Sequence, residues 1–336
     1  MFAINTQSAS IVYGLAAAVV VAMAALYAGE IVPALGGAPA ALLLGILVRA
    51  SVGEAPKIEP GASWAGKRLL QFAIVLLGAG MSLAQLWALG PLTFALIVAV
   101  VFVSLGAVSW IGGRMRLPAA LSTLIAVGTA ICGASAVAAA SPVVRAKKEE
   151  TAYAISTIFT FNLIALVVYP IVGHAFNLPP VAYAVWAGAA VHDTASAVAA
   201  GYAFGDEAGL LATVVKLART TLLVPVLFIL AAIYARKQDG EAAASPWSKF
   251  PWFIGAFVAV AIARSAGLIP DAAAGLVTQA AKFLIIVALA GVGLGTDLGR
   301  VKKAGYRPLA LGLVASALIS AFSLALALQL PAAAAR

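Results

Sequence analysis

The chain has 336 residues, of which 64% are hydrophobic and 10% charged, and its mean hydropathy is +1.07. Soluble domains carry about 25% charged residues, so a soluble globule is excluded and a polytopic membrane protein is implied. The net charge of +9 resides in short loops between apolar runs, which is the pattern of membrane topology and not of a nucleic-acid surface.

No Lys or Arg precedes Arg49, so no basic signal-peptide region is expected, and the run 11–32 is read as a retained first span. Apolar length and Pro, Gly and charge punctuation place further spans at 38–50, 66–88, 92–112, 151–173, 208–234, 250–267, 276–297 and 308–330. Two more apolar segments, 118–144 and 180–203, carry the same hexapeptide, Ala-Ser-Ala-Val-Ala-Ala, at Ala134–Ala139 and Ala195–Ala200. Small and hydroxyl-bearing residues cover lipid-facing surface poorly, but they let backbone break, approach a neighbour or line a polar cavity. Duplicated segments of this kind are the best sequence pointer to a transporter's binding site.

Sidedness bears on how these two segments run. If all cross the membrane, Arg145, Lys147 and Lys148 fall opposite the loops bearing Arg49–Arg68, Arg114/Arg116, Arg236/Lys237 and Arg300–Arg307. If both are re-entrant hairpins, every basic loop shares one side and the two copies enter from opposite faces, as an inverted repeat requires. The alternative is a broken full crossing, with Glu149 and Glu150 offsetting the anomalous loop. A second echo, Phe72-Ala-Ile-Val-Leu-Leu-Gly-Ala-Gly-Met-Ser-Leu against Phe283-Leu-Ile-Ile-Val-Ala-Leu-Ala-Gly-Val-Gly-Leu, also points to an old duplication. The expected fold is an all-α polytopic membrane protein of about 9–11 transmembrane helices, with two discontinuous or re-entrant segments related as inverted repeats. It forms one transporter domain over 1–336, with scaffold spans 11–50 and 250–267 and core segments 66–144, 151–234 and 276–330.

The intramembrane polar residues are the candidate machinery. His192-Asp193 precedes the second hexapeptide and is a candidate proton-coupling pair, because ionisable groups at membrane depth mark substrate or proton paths. The alternative for Asp193 is an N-cap of a half-helix. Lys216 and Arg219, three apart on one helical face, either neutralise an anionic substrate or form a structural ion pair, with Asp193 as one partner. Gly133, Ala134 and Ser135 in the first segment and Thr194, Ala195 and Ser196 in the second offer hydroxyls and free amides where helices start inside the membrane. Such ends attract anions; close helix packing is the alternative. Cys132 is read as a small apolar filler, Asn162 as an interhelical hydrogen bonder, and Lys282, Arg264 and Arg68 as interface residues. One cysteine and two histidines provide neither a disulfide framework nor a metal-site signature, no P-loop supports ATP-driven pumping, and no cofactor is called for.

Four stretches carry a resemblance: Gly128-Thr-Ala-Ile-Cys-Gly-Ala-Ser-Ala-Val-Ala-Ala, Val191-His-Asp-Thr-Ala-Ser-Ala-Val, Lys216-Leu-Ala-Arg-Thr, and Lys282-Phe-Leu-Ile-Ile-Val-Ala-Leu-Ala-Gly-Val-Gly-Leu. Together they resemble the YeiH-like sulfate exporter family of bacterial inner-membrane proteins, over nearly the whole chain from about residue 30 onward. The resemblance implies secondary export of sulfate or a related small anion, and paired discontinuous helices in a mobile core. The reading is therefore a secondary anion transporter in the bacterial inner membrane, with a small anion and the lipid bilayer as partners and a homodimer allowed. An anion channel built on the same hairpins is the alternative. An enzyme is not expected, because no nucleophile–base constellation beyond His192/Asp193 is visible.

Overall fold

A computed structural model of the chain describes residues 6–31, 37–53, 55–80, 90–235, 252–296 and 305–330. Arg236, Lys237, Arg300, Lys302, Lys303 and the end of the expected span 66–88 lie outside the described residues.

The described residues are almost entirely helical, as a backbone with no water to bond must be in hydrocarbon. In chain order the helices are α1 (Thr6–Ile31), α2 (Gly37–Val52), α3 (Glu59–Trp64), which passes through a π-turn at Ala65–Leu69 into α4 (Leu70–Leu77), α5 (Gly90–Arg114), α6 (Ala119–Ala130) and α7 (Ala134–Ala140). They continue with α8 (Lys148–Ala175), α9 (Pro180–Ala190), α10 (Thr194–Phe204), α11 (Asp206–Thr221), α12 (Leu223–Ala235), α13 (Trp252–Ser265), α14 (Asp271–Leu294) and α15 (Tyr306–Ala327). Among the described residues, 6 stretches are long and apolar enough to cross a membrane: Ser10–Gly29, Gly90–Arg114, Lys148–Ala175, Asp206–Tyr234, Asp271–Leu294 and Tyr306–Ala327. The protein is an all-α polytopic membrane protein, as its composition requires. Its helices divide into two compact units.

The first unit comprises Met1–Ala88, Tyr202–Phe204 and Trp252–Leu298. Glycines set its helix crossings. A Cβ on Gly61 of α3 would lie 2.2 Å from the Ile11 carbonyl oxygen and 2.6 Å from Gly14 Cα of α1. One on Gly293 of α14 would lie 2.3 Å from the Leu42 carbonyl oxygen and 2.9 Å from Gly45 Cα of α2. Without water to drive helices together, this close approach supplies the packing energy. The echoed stretches meet their neighbours crosswise. Gly78, at the end of α4, sits against Phe257 of α13, while Gly293 of α14 sits against α2. Each echo packs on the helix that precedes the other, an arrangement expected of a duplicated pair.

The second unit comprises Leu89–Gly201, Gly205–Pro251 and Gly299–Arg336. Here both hexapeptide segments double back. A Cβ on Gly128 of α6 would touch the Val137 side chain of α7 at 2.8 Å, although nine positions along one helix would separate them by about 14 Å. In the second segment the Tyr183 hydroxyl of α9 donates to the Ala200 carbonyl of α10 at 2.9 Å. The long helices show which way each hairpin points. Along α8, Thr151 bonds Ser141 at the open end of the first hairpin, Ile158 packs on Gly128, Asn162 meets Asp193, and Tyr169 stacks on Trp186 of the second hairpin. Along α11–α12, Gly209 faces Gly201, Val215 faces Gly188, Arg219 reaches Ala130, and Tyr234 bonds Thr123 near the base of α6. The hairpins therefore enter from opposite ends of the unit and meet tip to tip. The loop bearing Arg145, Lys147 and Lys148 lies at the same end as Arg114 and Arg116, as the hairpin reading requires. Glu150, in the first turn of α8, accepts from the Lys147 N–H at 2.8 Å and so caps the start of that helix.

Candidate functional site

The arms leading to the tips are short. α6 has 12 residues and α9 has 11, or about 18 and 16 Å, each roughly half of a ~30 Å hydrocarbon layer. Both are buried on nearly every side, α6 among Val101, Val108, Ile158, Val226, Leu227 and Leu311. That burial explains why these segments are apolar without a polar stripe.

The first tip turns at Ile131–Gly133. Gly133 has φ 69°, and a Cβ there would lie 3.3 Å from Asp193 Cα, so both its conformation and its neighbour require glycine. The second tip turns at Val191–Asp193. The Asp193 carboxylate accepts from the Ser196 N–H at 3.2 Å and caps α10, and the Asp193 N–H donates to Asn162 Oδ1 at 3.0 Å. His192 is buried, with Nε2 2.8 Å from the Ser316 hydroxyl of α15.

Two half-helices end at this point, and their last carbonyls lack the N–H groups that a continuous helix would supply. Lys216 and Arg219 take that place. Lys216 Nζ donates to the carbonyls of Ile131 at 2.9 Å, Val191 at 2.6 Å and His192 at 2.6 Å. Arg219 donates through Nε to Ala130 at 2.6 Å, through Nη1 to Val191 at 3.2 Å, and through Nη2 to Thr129. Both side chains are 0% exposed. The two cations stand at the negative ends of two helix dipoles and tie one hairpin to the other. Neither makes an ion pair with Asp193 within 4.0 Å among the described residues. All three Lys216 donors are committed to backbone, so this residue can act on a ligand through its field and not by contact.

The sequence-chosen residues thus lie on the two tips or on α11 beside them. Gly133, Ala195, Ser196 and His192 are buried, Ala134, Asp193 and Thr194 are half-buried, and Ser135 is exposed. The accessible edge is therefore the start of α10 and of α7. Cys132 is buried in the apolar cluster around α6. Sequence reasoning gave Asn162 no ligand role and missed Ser316. A lone carboxamide within a span was the available signal for Asn162, whereas Ser316 stands among other small residues and gives none.

Comparison with known proteins agrees on one family. The profile of the family described as "Conserved hypothetical protein 698" matches residues 13–312. The chain is 35% identical over 299 residues to a UPF0324 membrane protein of Clostridium tetani, covering 85% of this chain and 87% of that one. It is 35% identical over 332 residues to a UPF0324 membrane protein of Streptococcus pyogenes serotype M18, covering 94% and 96%. It is also 34% identical over 311 residues to one of Bacillus cereus, covering 91% of each. No solved structure matches the chain.

Proposed function

We propose that this chain, which belongs to the UPF0324 family of membrane proteins, the YeiH-like family that its sequence resembles, is a secondary transporter of a small anion in the bacterial inner membrane. The observation that carries this reading is the meeting of two opposed hairpins, which brings four half-helix ends together halfway along a membrane-spanning unit. Transporters place their sites at such discontinuities, because helix N-termini there offer amides and a positive dipole.

The charges favour an anion. Lys216 and Arg219 are both buried at the tips, where Asp193 is the one carboxylate among the described residues and lies beyond 4.0 Å from either cation, so the tips carry a net positive charge. Asp193 occupies the amides at the start of α10, where an anion would otherwise bind. Protonation of Asp193 removes this internal competitor and raises the net charge by one, which suits a divalent oxyanion such as sulfate. Substrate and proton then travel together. Thr194, Ala195 and Ser196, with Gly133, Ala134 and Ser135 opposite, form the contact surface. Lys216 and Arg219 supply the field, and His192 is the second proton-binding group. Alternating access exposes the tips first to one face and then to the other.

Uptake into proteoliposomes of labelled sulfate and a panel of other anions, under imposed pH gradients, tests the reading. Saturable, gradient-driven accumulation is expected, whereas flux that never saturates would indicate a channel. Asp193→Asn is expected to lose accumulation driven by a pH gradient while retaining part of anion exchange at equal pH. Continued gradient-driven accumulation by Asp193→Asn would leave Asp193 with a capping role alone.

A further inference from the structure

We propose that the carbonyl cage between the hairpin tips is a monovalent-cation site whose resident ion is the Lys216 ammonium, so that shortening Lys216 opens a site for a potassium-sized cation. Three oxygens converge on Nζ, from Ile131 of one hairpin and from Val191 and His192 of the other, at 2.9, 2.6 and 2.6 Å. All three are backbone carbonyls to which, among the described residues, the broken helices bring no N–H donor, and no described carboxylate lies within 4.0 Å of Nζ. This is therefore a neutral-oxygen cage and not an ion pair. Rings of backbone carbonyls replace the hydration shell of potassium in selectivity filters, and an ammonium group, close to potassium in size, takes three such oxygens here.

The tether has a physical consequence. A free cation in this cage would have to be captured from solution and could leave with the substrate, which would make transport depend on that ion. An ammonium fixed to α11 is always present and cannot leave. The charged groups around the cage are Arg219 one turn further along α11 and Asp193 at the second tip, with His192 contributing its carbonyl. A soluble monovalent cation in place of the ammonium leaves the local charge unchanged. The proposal does not depend on the substrate being an anion, because the cage and its occupant are read from the hydrogen bonds alone.

The test uses full-length wild type, Lys216→Ala and Lys216→Met, purified in detergent, with thermal midpoints measured in choline, sodium, potassium, ammonium and methylammonium chloride at equal ionic strength. Lys216→Ala is expected to lose several degrees in choline and to regain most of that loss saturably with potassium, ammonium or methylammonium. Wild type, whose cage is filled, and Lys216→Met, whose side chain fills the space without charge, are expected not to respond. The proposal is overturned if no cation selectively restores Lys216→Ala, or if all three proteins rise together as in a general salt effect. Should Lys216→Ala be unstable in choline, its monodisperse recovery only in the restoring salts supports the site, and failure to recover it in any of them overturns it.

Discussion

Replacing Arg219 with Met removes the guanidinium and keeps much of its volume. Nε and Nη2 are the donors to the Ala130 and Thr129 carbonyls, and among the described residues no backbone N–H reaches either oxygen, whereas the Val191 carbonyl keeps its bond from Lys216. Two buried acceptors are therefore stranded, at about 1–3 kcal/mol each. Relief of the repulsion between Lys216 and Arg219 returns part of that cost, which leaves a net loss of about 3 kcal/mol. This matches the order expected when one member of a buried charged network is removed. Arg219→Lys keeps the charge, but a single ammonium cannot fork between Thr129 and Ala130, so about half of the loss remains. Thermal unfolding of the detergent-purified proteins, followed by size-exclusion recovery after heating, is expected to rank wild type above Arg219→Lys above Arg219→Met. A methionine variant as stable as wild type, or equal losses in the two variants, would refute the assignment of Arg219 to the helix ends.

Lys147→Cys, in spheroplasts, is expected to resist an impermeant thiol reagent applied from outside, as cysteines at Arg114 and Arg116 should; ready labelling would place the first hairpin as a crossing. Gly61→Ala and Gly293→Ala force a Cβ to within 2.2 and 2.3 Å of opposing carbonyl oxygens and are expected to cost about 2 kcal/mol or more in thermal denaturation. Gly106→Ala, with nothing within 4 Å, is expected to be neutral in the same assay. At matched expression, Lys216→Ala or Arg219→Ala is expected to reduce anion uptake more than Lys282→Ala; equal uptake by all three would remove both residues from the site.

Apolar length and punctuation located most helices to within a few residues. The expected 92–112, 151–173 and 208–234 correspond to Gly90–Arg114, Lys148–Ala175 and the continuous pair Asp206–Thr221 and Leu223–Ala235. The hairpins were legible because charge had to be reconciled: the loop Arg145–Lys148 fits one side of the membrane only if 118–144 turns back. The span expected to open at 66 begins earlier, at Glu59, because Pro60 suits a helix's first turn and a π-turn at Ala65–Leu69 carries Lys67 and Arg68 within the helix. Less legible were the partners of Lys216 and Arg219. Spacing of three put both side chains on one face, but it did not show that they bind backbone. A carbonyl exposed by a helix break has no letter of its own, so a sequence reader looks for a carboxylate or a substrate instead.

The two hexapeptides are alike, yet their breaks are not equivalent. The first half-helix after a break, α7, starts at Gly133, which has no side chain to cap it; the second, α10, starts at Asp193, which does. Both cations come from α11, and between them they serve the carbonyl ends of α6 and of α9. Duplication would yield symmetric tips, and a symmetric pair would need either a cation from each half or none. Here one helix supplies both positive charges and, among the described residues, one tip supplies the only carboxylate, so the charge at the tips is directional. Backbone and field are shared by the two hairpins, whereas the titratable acceptor belongs to the second alone. On the proposed proton-coupled reading, that division makes a single proton at Asp193 sufficient to change the net charge of the whole junction, so the coupling proposed here rests on one tip, not on the pair.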